Sequence, residues 1–140
     1  MAVQRERPYV DSNFLVDLGG GRAGAPGTGF AEVIFPVFRG DPAHLWPEGD
    51  PPATERLILR RGATGALDLY AWWDKARRGK APQRRTVRVD LLGEDQASVV
   101  MSWRFRNVRP VNLSYSPLNA LAGSVLMETL ELAFDGVDML

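Results

Sequence analysis

The 140-residue chain has no cysteine, one histidine (His44) and no excess charge, with 17 Lys+Arg against 17 Asp+Glu. Without thiols there is no thiolate nucleophile, no Cys-ligated zinc, no iron–sulfur cluster and no disulfide staple. One imidazole cannot build a His-pair metal site, so no metal or other cofactor is expected. Zero net charge removes the long-range basic field that draws a protein to duplex DNA or an anionic membrane, although local patches stay open. No apolar run approaches the ~20 residues that span a bilayer. The amino terminus, Met1 to Pro8, does not lead into the roughly 7–15 apolar residues of an export signal. A soluble protein without conventional export or stable membrane association is therefore expected.

Glycine (14) and proline (10) are plentiful, and a chain of this length buries roughly 68% of its extended surface, enough for one domain over residues 1–140. Asn13 to Leu18 reads as a strand that enters the glycine cluster Gly19 to Gly29. Phe30 to Phe38 is β-rich, with Pro36 marking an edge or a break. Arg39 to Pro52 is a long loop with four prolines, in which Leu45 and Trp46 argue for a functional contact. Glu55 to Arg61 alternates, placing Leu57 and Leu59 on one face and Arg56, Ile58 and Arg60 on the other. One helix is expected over about Thr64 to Arg78, with Leu69, Trp72, Trp73 and Ala76 as its apolar stripe and Gly79 as C-cap.

Two strands of period two follow. Val87, Val89 and Leu91 oppose Thr86, Arg88 and Asp90; after the turn Gly93-Glu94-Asp95, Val99, Met101, Trp103 and Phe105 oppose Ser102, Arg104 and Arg106. Arg109 to Leu113 reads as irregular or edge strand, and Val125 to Phe134 as the last strand, with Asp135 and Asp138 in a solvated tail. Glu128 falls in the otherwise apolar row of Leu126, Leu130, Leu132 and Phe134, so it either pairs with an arginine or meets another chain. The pattern gives a mainly β protein, an antiparallel β-sandwich or half-barrel of about seven strands with one flanking helix.

The chemistry-bearing motifs are weak. Gly19-x-Gly21-x-x-Gly24 matches a dinucleotide fingerprint in letters, but Ala25-Pro26-Gly27-Thr28-Gly29 cannot open the helix that motif needs. His44 has no evident acid or nucleophile partner, and the paired acids sit in turns or at the tail, so no enzymatic activity is expected. Arg84, Arg85, Arg88, Arg104 and Arg106 form a basic cluster like that of an oligonucleotide-binding barrel. Their aromatic neighbours Trp103 and Phe105 point to the dry side, however, and Asp90, Glu94 and Asp95 share the hairpin, which favours a salt-bridged face. A small β-barrel nucleic-acid-binding module is the alternative reading.

The run Leu57-Ile58-Leu59-Arg60-Arg61-Gly62-Ala63-Thr64-Gly65, the tryptophan-bearing helix and Arg84 to Glu94 together resemble the tail-tube proteins of contractile phages and the inner-tube proteins of phage-tail-like injection particles. The resemblance continues through Trp103 to Val111, Leu118-Asn119-Ala120 and Met127 to Gly136. One stretch departs from it: Ile34-Phe35-Pro36-Val37-Phe38 replaces a usually polar, glycine-containing continuation, which points to a paralogue such as a tube-initiating ring. The resemblance implies hexameric rings stacked into a conduit for DNA or protein cargo, with sheath and baseplate proteins as partners and assembly in the cytoplasm of the producing cell. It implies subunit contacts at Leu45, Trp46, Arg60, Arg61, Asn119 and Glu128, and a lumen or polar sheet face bearing Arg88, Asp90, Arg104 and Arg106.

Overall fold

Alternation of apolar and charged residues makes the strands, and the breaks in that alternation set their ends. In the computed structural model, which describes residues 2–19, 29–38, 50–79 and 84–140, seven strands are flanked by one α-helix. They are β1 (Phe14–Asp17), β2 (Glu32–Ile34), β3 (Leu57–Gly62), β4 (Arg85–Leu92), β5 (Val99–Tyr115), β6 (Met127–Ala133) and β7 (Gly136–Met139), with α1 at Asp68–Arg77. His44, Leu45 and Trp46 lie outside the described residues. The strand path is β1-β4-β5-β6-β3-β2, antiparallel throughout, and β7 pairs with β5 off this path.

β5 belongs to two sheets. Its first part pairs with β4 (Val87 opposite Phe105, Val89 opposite Trp103) and its last part, Arg109–Tyr115, pairs with β6. Of the two readings of Arg109 to Leu113, irregular or edge strand, the strand is observed, and it continues β5. Pro110, which has no N–H to give, sits at a register shift between Pro110 and Asn112, where a bulge tolerates it. The expected tail is likewise a strand: β7 lies along Trp103–Arg106 of β5. Four residues with only Val137 and Met139 apolar give too little periodicity to be seen in the sequence.

β2 spans only Glu32–Ile34, shorter than the β-rich run around it, because Pro36 removes a ladder donor. The helix begins at Asp68, later than expected: Gly65 takes φ +90 and Leu67 is not helical. Its C-terminal end agrees with expectation, Gly79 adopting φ +65 and donating its N–H to the Ala76 carbonyl at 3.2 Å.

The two sheets share one core. Val87, Val89 and Phe105 from the β4–β5 side meet Leu59, Leu130 and Leu132 from the β3–β6 side, and Leu69 and Trp72 of α1 close it. The exit from β1 hugs β4: Gly19 has φ +68, and a Cβ there would run into the Thr86 carbonyl. Gly19→Ala is expected to cost about 1–3 kcal/mol from backbone strain, read as a lowered urea midpoint; an unchanged midpoint would show that β1 can move away freely.

Candidate assembly surfaces

Arg61 projects from the core face of β3, opposite Glu128 of β6. Its Nε donates to Glu128 Oε1 at 2.6 Å, while Nη1 and Nη2 donate to Asp68 Oδ2 and Oδ1 at 3.2 and 2.5 Å. Arg61 and Glu128 are 2% and 3% exposed, and the Phe30 ring lies 5.5 Å from the guanidinium carbon. Burial alone would lower the Arg61 pKa, but hydrogen bonds and charge from Asp68 and Glu128 outweigh it and leave it raised. Tyr115 stands opposite Glu128 on β5, and its phenol is pushed up by burial and by the nearby Glu128 carboxylate. Of the two fates expected for Glu128, pairing with an arginine is the one observed. Within the chain, Arg61 joins β3 to β6 through Glu128 and to α1 through Asp68.

The outward faces carry charge that is matched within the chain. On the β4–β5–β7 side, Arg88 donates to Asp90 at 2.8 Å, Ser102 Oγ donates to the same carboxylate at 2.5 Å, and Asp138 meets Arg104 and Arg106 at 3.4 and 3.0 Å. Arg84 reaches Asp135 at 3.3 Å, and Arg85 lies over the Trp72 ring at 4.4 Å, its pKa lowered by burial. No bare arginine stripe remains among these five, which removes the observation that favoured a nucleic-acid surface. Asp138 becomes the partner of Arg104 and Arg106 because β7 lies beside β5. On the β3–β6 side, Arg60 pairs with Glu32 at 3.1 Å and Thr129 at 3.3 Å, and Arg56 with Glu131 at 3.3 Å.

Among the described residues, the carboxylate moved furthest from its ordinary value lies in the hairpin turn after β4. Asp95 accepts from Ser98 Oγ and from the Ser98 and Ala97 amides at 2.5, 2.9 and 3.0 Å, which lowers its pKa from 3.8 to about 2. A depressed carboxylate contributes stability above its unfolded pKa and loses it as pH falls through the folded one. The turn is therefore expected to hold at pH 4 and loosen towards about pH 2. A carboxyl NMR titration of Asp95 checks this, and a midpoint near 4 would contradict it.

Strand edges are open at several places. Among the described residues β2 pairs only with β3, and Arg109–Tyr115 of β5 only with β6, leaving one side of each free. Between β1 and β2 runs a groove of about 570 Å³ lined by Phe14, Val33, Phe35, Val89 and Trp103. Apolar side chains stand in solvent at the loop after β5, where Leu118 and Leu121 are 87% and 97% exposed, and after β2, where Val37 and Phe38 are exposed. Asn119 shapes the former loop, its Oδ1 accepting from the Leu121 amide at 3.0 Å. Periodicity could not reveal these exposed groups, because they lie outside strands. Among the described residues no three His, Asp or Glu side chains converge as metal ligands, and no helix is long and apolar enough to cross a membrane.

A search of curated proteins finds no match to the chain. Solved structures match over nearly its full length. A chain of the anti-feeding prophage (AFP) baseplate, 6-fold symmetrised, is 26% identical, with 97% of each chain covered and a TM-score of 0.66. A chain of the PVC sheath-tube complex of an extracellular contractile injection system, in the extended state, is 16% identical (96% of this chain, 93% of that one, TM-score 0.67). Hcp1 from Flavobacterium johnsoniae is 14% identical (90% and 93%, TM-score 0.58); the last two likenesses are of fold. The family model described as T4-like virus tail tube protein gp19 matches residues 50–138, the stretch from the approach to β3 into β7 that holds the helix and the strands other than β1 and β2. The chain belongs to the T4-like virus tail tube protein family.

Proposed function

We propose that the protein is an inner-tube subunit of a contractile phage tail or injection particle, six copies closing a ring and rings stacking into a conduit within a sheath. The family match carries this reading, and the free edges give it a mechanism. The four strands β2-β3-β6-β5 alternate in direction, so repeating them around an axis sets Arg109–Tyr115 of one copy antiparallel to β2 of the next. Such heterologous pairing covers exposed edges and closes when the rotation closes. Among the described residues Arg109–Tyr115 is the longest free edge, and this supports the sheet that carries it as the inner wall.

Because both sheets face one core, their polar sides look apart. The wall bearing Arg60, Glu32, Arg56 and Glu131 then lines the conduit, and Arg88, Asp90, Arg104 and Arg106 face the sheath. Each of these inner cations has a carboxylate partner, so passing DNA or protein meets no strong uncompensated field. Assembly takes place in the cytoplasm of the producing cell, where sheath and baseplate proteins meet the tube. Leu45 and Trp46, which fall between β2 and β3 in the sequence, serve as contacts to a neighbouring subunit.

Negative-stain microscopy of concentrated protein, alone and with its sheath, tests the proposal: sixfold rings or tubes are expected, and a monomer under both conditions overturns it. The 26% identity to a chain of the AFP baseplate structure, together with the apolar Ile34 to Phe38 segment, favours a tube-initiating ring as a second reading. That reading predicts isolated rings that extend only when a separate tube protein is added.

A further inference from the structure

We infer that successive rings join head to tail through two uncharged apolar patches at opposite ends of the β2-β3-β6-β5 sheet: the β5–β6 loop bearing Leu118, Leu121 and Val125 seats on Val37 and Phe38 of the next copy. The inference rests on the tube reading and names the contact that would stack it. The positions of both patches are fixed by hydrogen bonds to the ends of β3. At its C-terminal end, Ala63 donates to the Leu126 carbonyl at 2.8 Å, and Ser116 donates to Met127 at 2.9 Å, closing the base of the loop. At the N-terminal approach to β3, Val37 donates to the Thr54 carbonyl at 2.9 Å. The loop and the Val37–Phe38 segment therefore lie at opposite poles, about 20 Å apart along a six-residue strand.

Both patches are unusual for a surface that stays wet. Ser116 to Leu126 contains no charged residue, nor does Ile34 to Phe38. Leu118, Leu121 and Val125 are 87%, 97% and 72% exposed, and Val37 and Phe38 are 65% and 47% exposed. Large apolar side chains left this open, in segments without a charged residue, mark an interface. Two different patches at opposite poles of one chain make a heterologous pair, which propagates as an open stack and does not close on itself as a two-fold dimer would. A second copy is therefore the occupant, since one chain supplies both halves with the same lack of charge. Asn119, whose side chain holds the loop turn, positions the loop half of the pair without having to touch the neighbour.

The absence of native cysteine makes the test clean. Leu121→Cys and Phe38→Cys are prepared as separate variants, assembled in a mixture and treated with a short bismaleimide. The expected product is a covalent dimer containing one of each variant, with neither variant crosslinking alone; the double variant should give an extended ladder, because the two poles are too far apart to join within one chain. Dimers from Leu121→Cys alone would show a symmetric contact and overturn the proposal. Stacked rings by microscopy with no crosslink would overturn this contact while the tube reading stands. Absence of rings and stacks from the unaltered protein, with and without its sheath, would sink both. In parallel, Leu118→Asp with Leu121→Asp should leave the melting temperature and ring formation unchanged and abolish stacking; undiminished stacks, or loss of the rings themselves, would contradict the assignment.

Discussion

Glu128→Ala is expected to lower the unfolding free energy by about 3 kcal/mol, near the lower end of the range for removing one partner of a buried ion pair. Arg61 is 2% exposed and would lose its buried carboxylate while keeping Asp68, which is itself open to solvent on one side. Glu128→Gln should lose less, because an amide oxygen can still accept from Arg61 Nε. Glu128→Lys should lose more, since it sets two cations side by side in the core. The double change Arg61→Met with Glu128→Leu should recover much of the loss of the single variant, because two apolar groups need no desolvation of charge. Urea unfolding with an unchanged slope measures each value, and the double-mutant cycle isolates the pair. A Glu128→Ala loss below about 1 kcal/mol would mean that water reaches the site and that the network does not hold β3, β6 and α1.

Trp72→Ala should cost about 3–5 kcal/mol, the range for emptying a large aromatic from a core. Its indole is 1% exposed and joins α1 to the core beneath both sheets, with Arg85 stacked over it at 4.4 Å. For a domain of this size that loss corresponds to a fall of roughly 10 °C or more in Tm. Trp73→Ala makes the contrast. Trp73 is half-buried, with Tyr70 at 6.0 Å and Arg77 at 4.9 Å, all on the outer part of the helix. It should cost less than about 1.5 kcal/mol, in line with an exposed aromatic or cation contact. Differential scanning calorimetry of both variants decides the matter; equal losses would mean that the helix docks through both indoles.

How far the structure was legible from the residues depends on the range of the interaction. The alternations Leu57/Leu59 and Val87/Val89 were read correctly because a half-buried strand writes its own period. Glu128 stood out because a carboxylate breaks an apolar row, and the arginine it needed was a buried one, as the energetics require. The second carboxylate on Arg61, Asp68, could not be read, since a helix start and a strand end seven residues apart meet only after the intervening loop turns. The pairings of Asp138 with Arg104 and Arg106 were hidden for the same reason: β7 is too short to declare itself and exists by pairing with β5.

Composition and periodicity by themselves determined the class: a cysteine-free, charge-balanced, mainly β chain with a helix beside its strands; the resemblance to tail-tube proteins lies in the order of its motifs. These properties are local or additive, so they survive without coordinates. Tertiary structure alone decided which edges stay open, which arginines are spent inside the chain and where the uncharged loops stand relative to the sheet. Those depend on register and on the path of β5 through two sheets, and a one-residue slip in a strand reverses every face it presents.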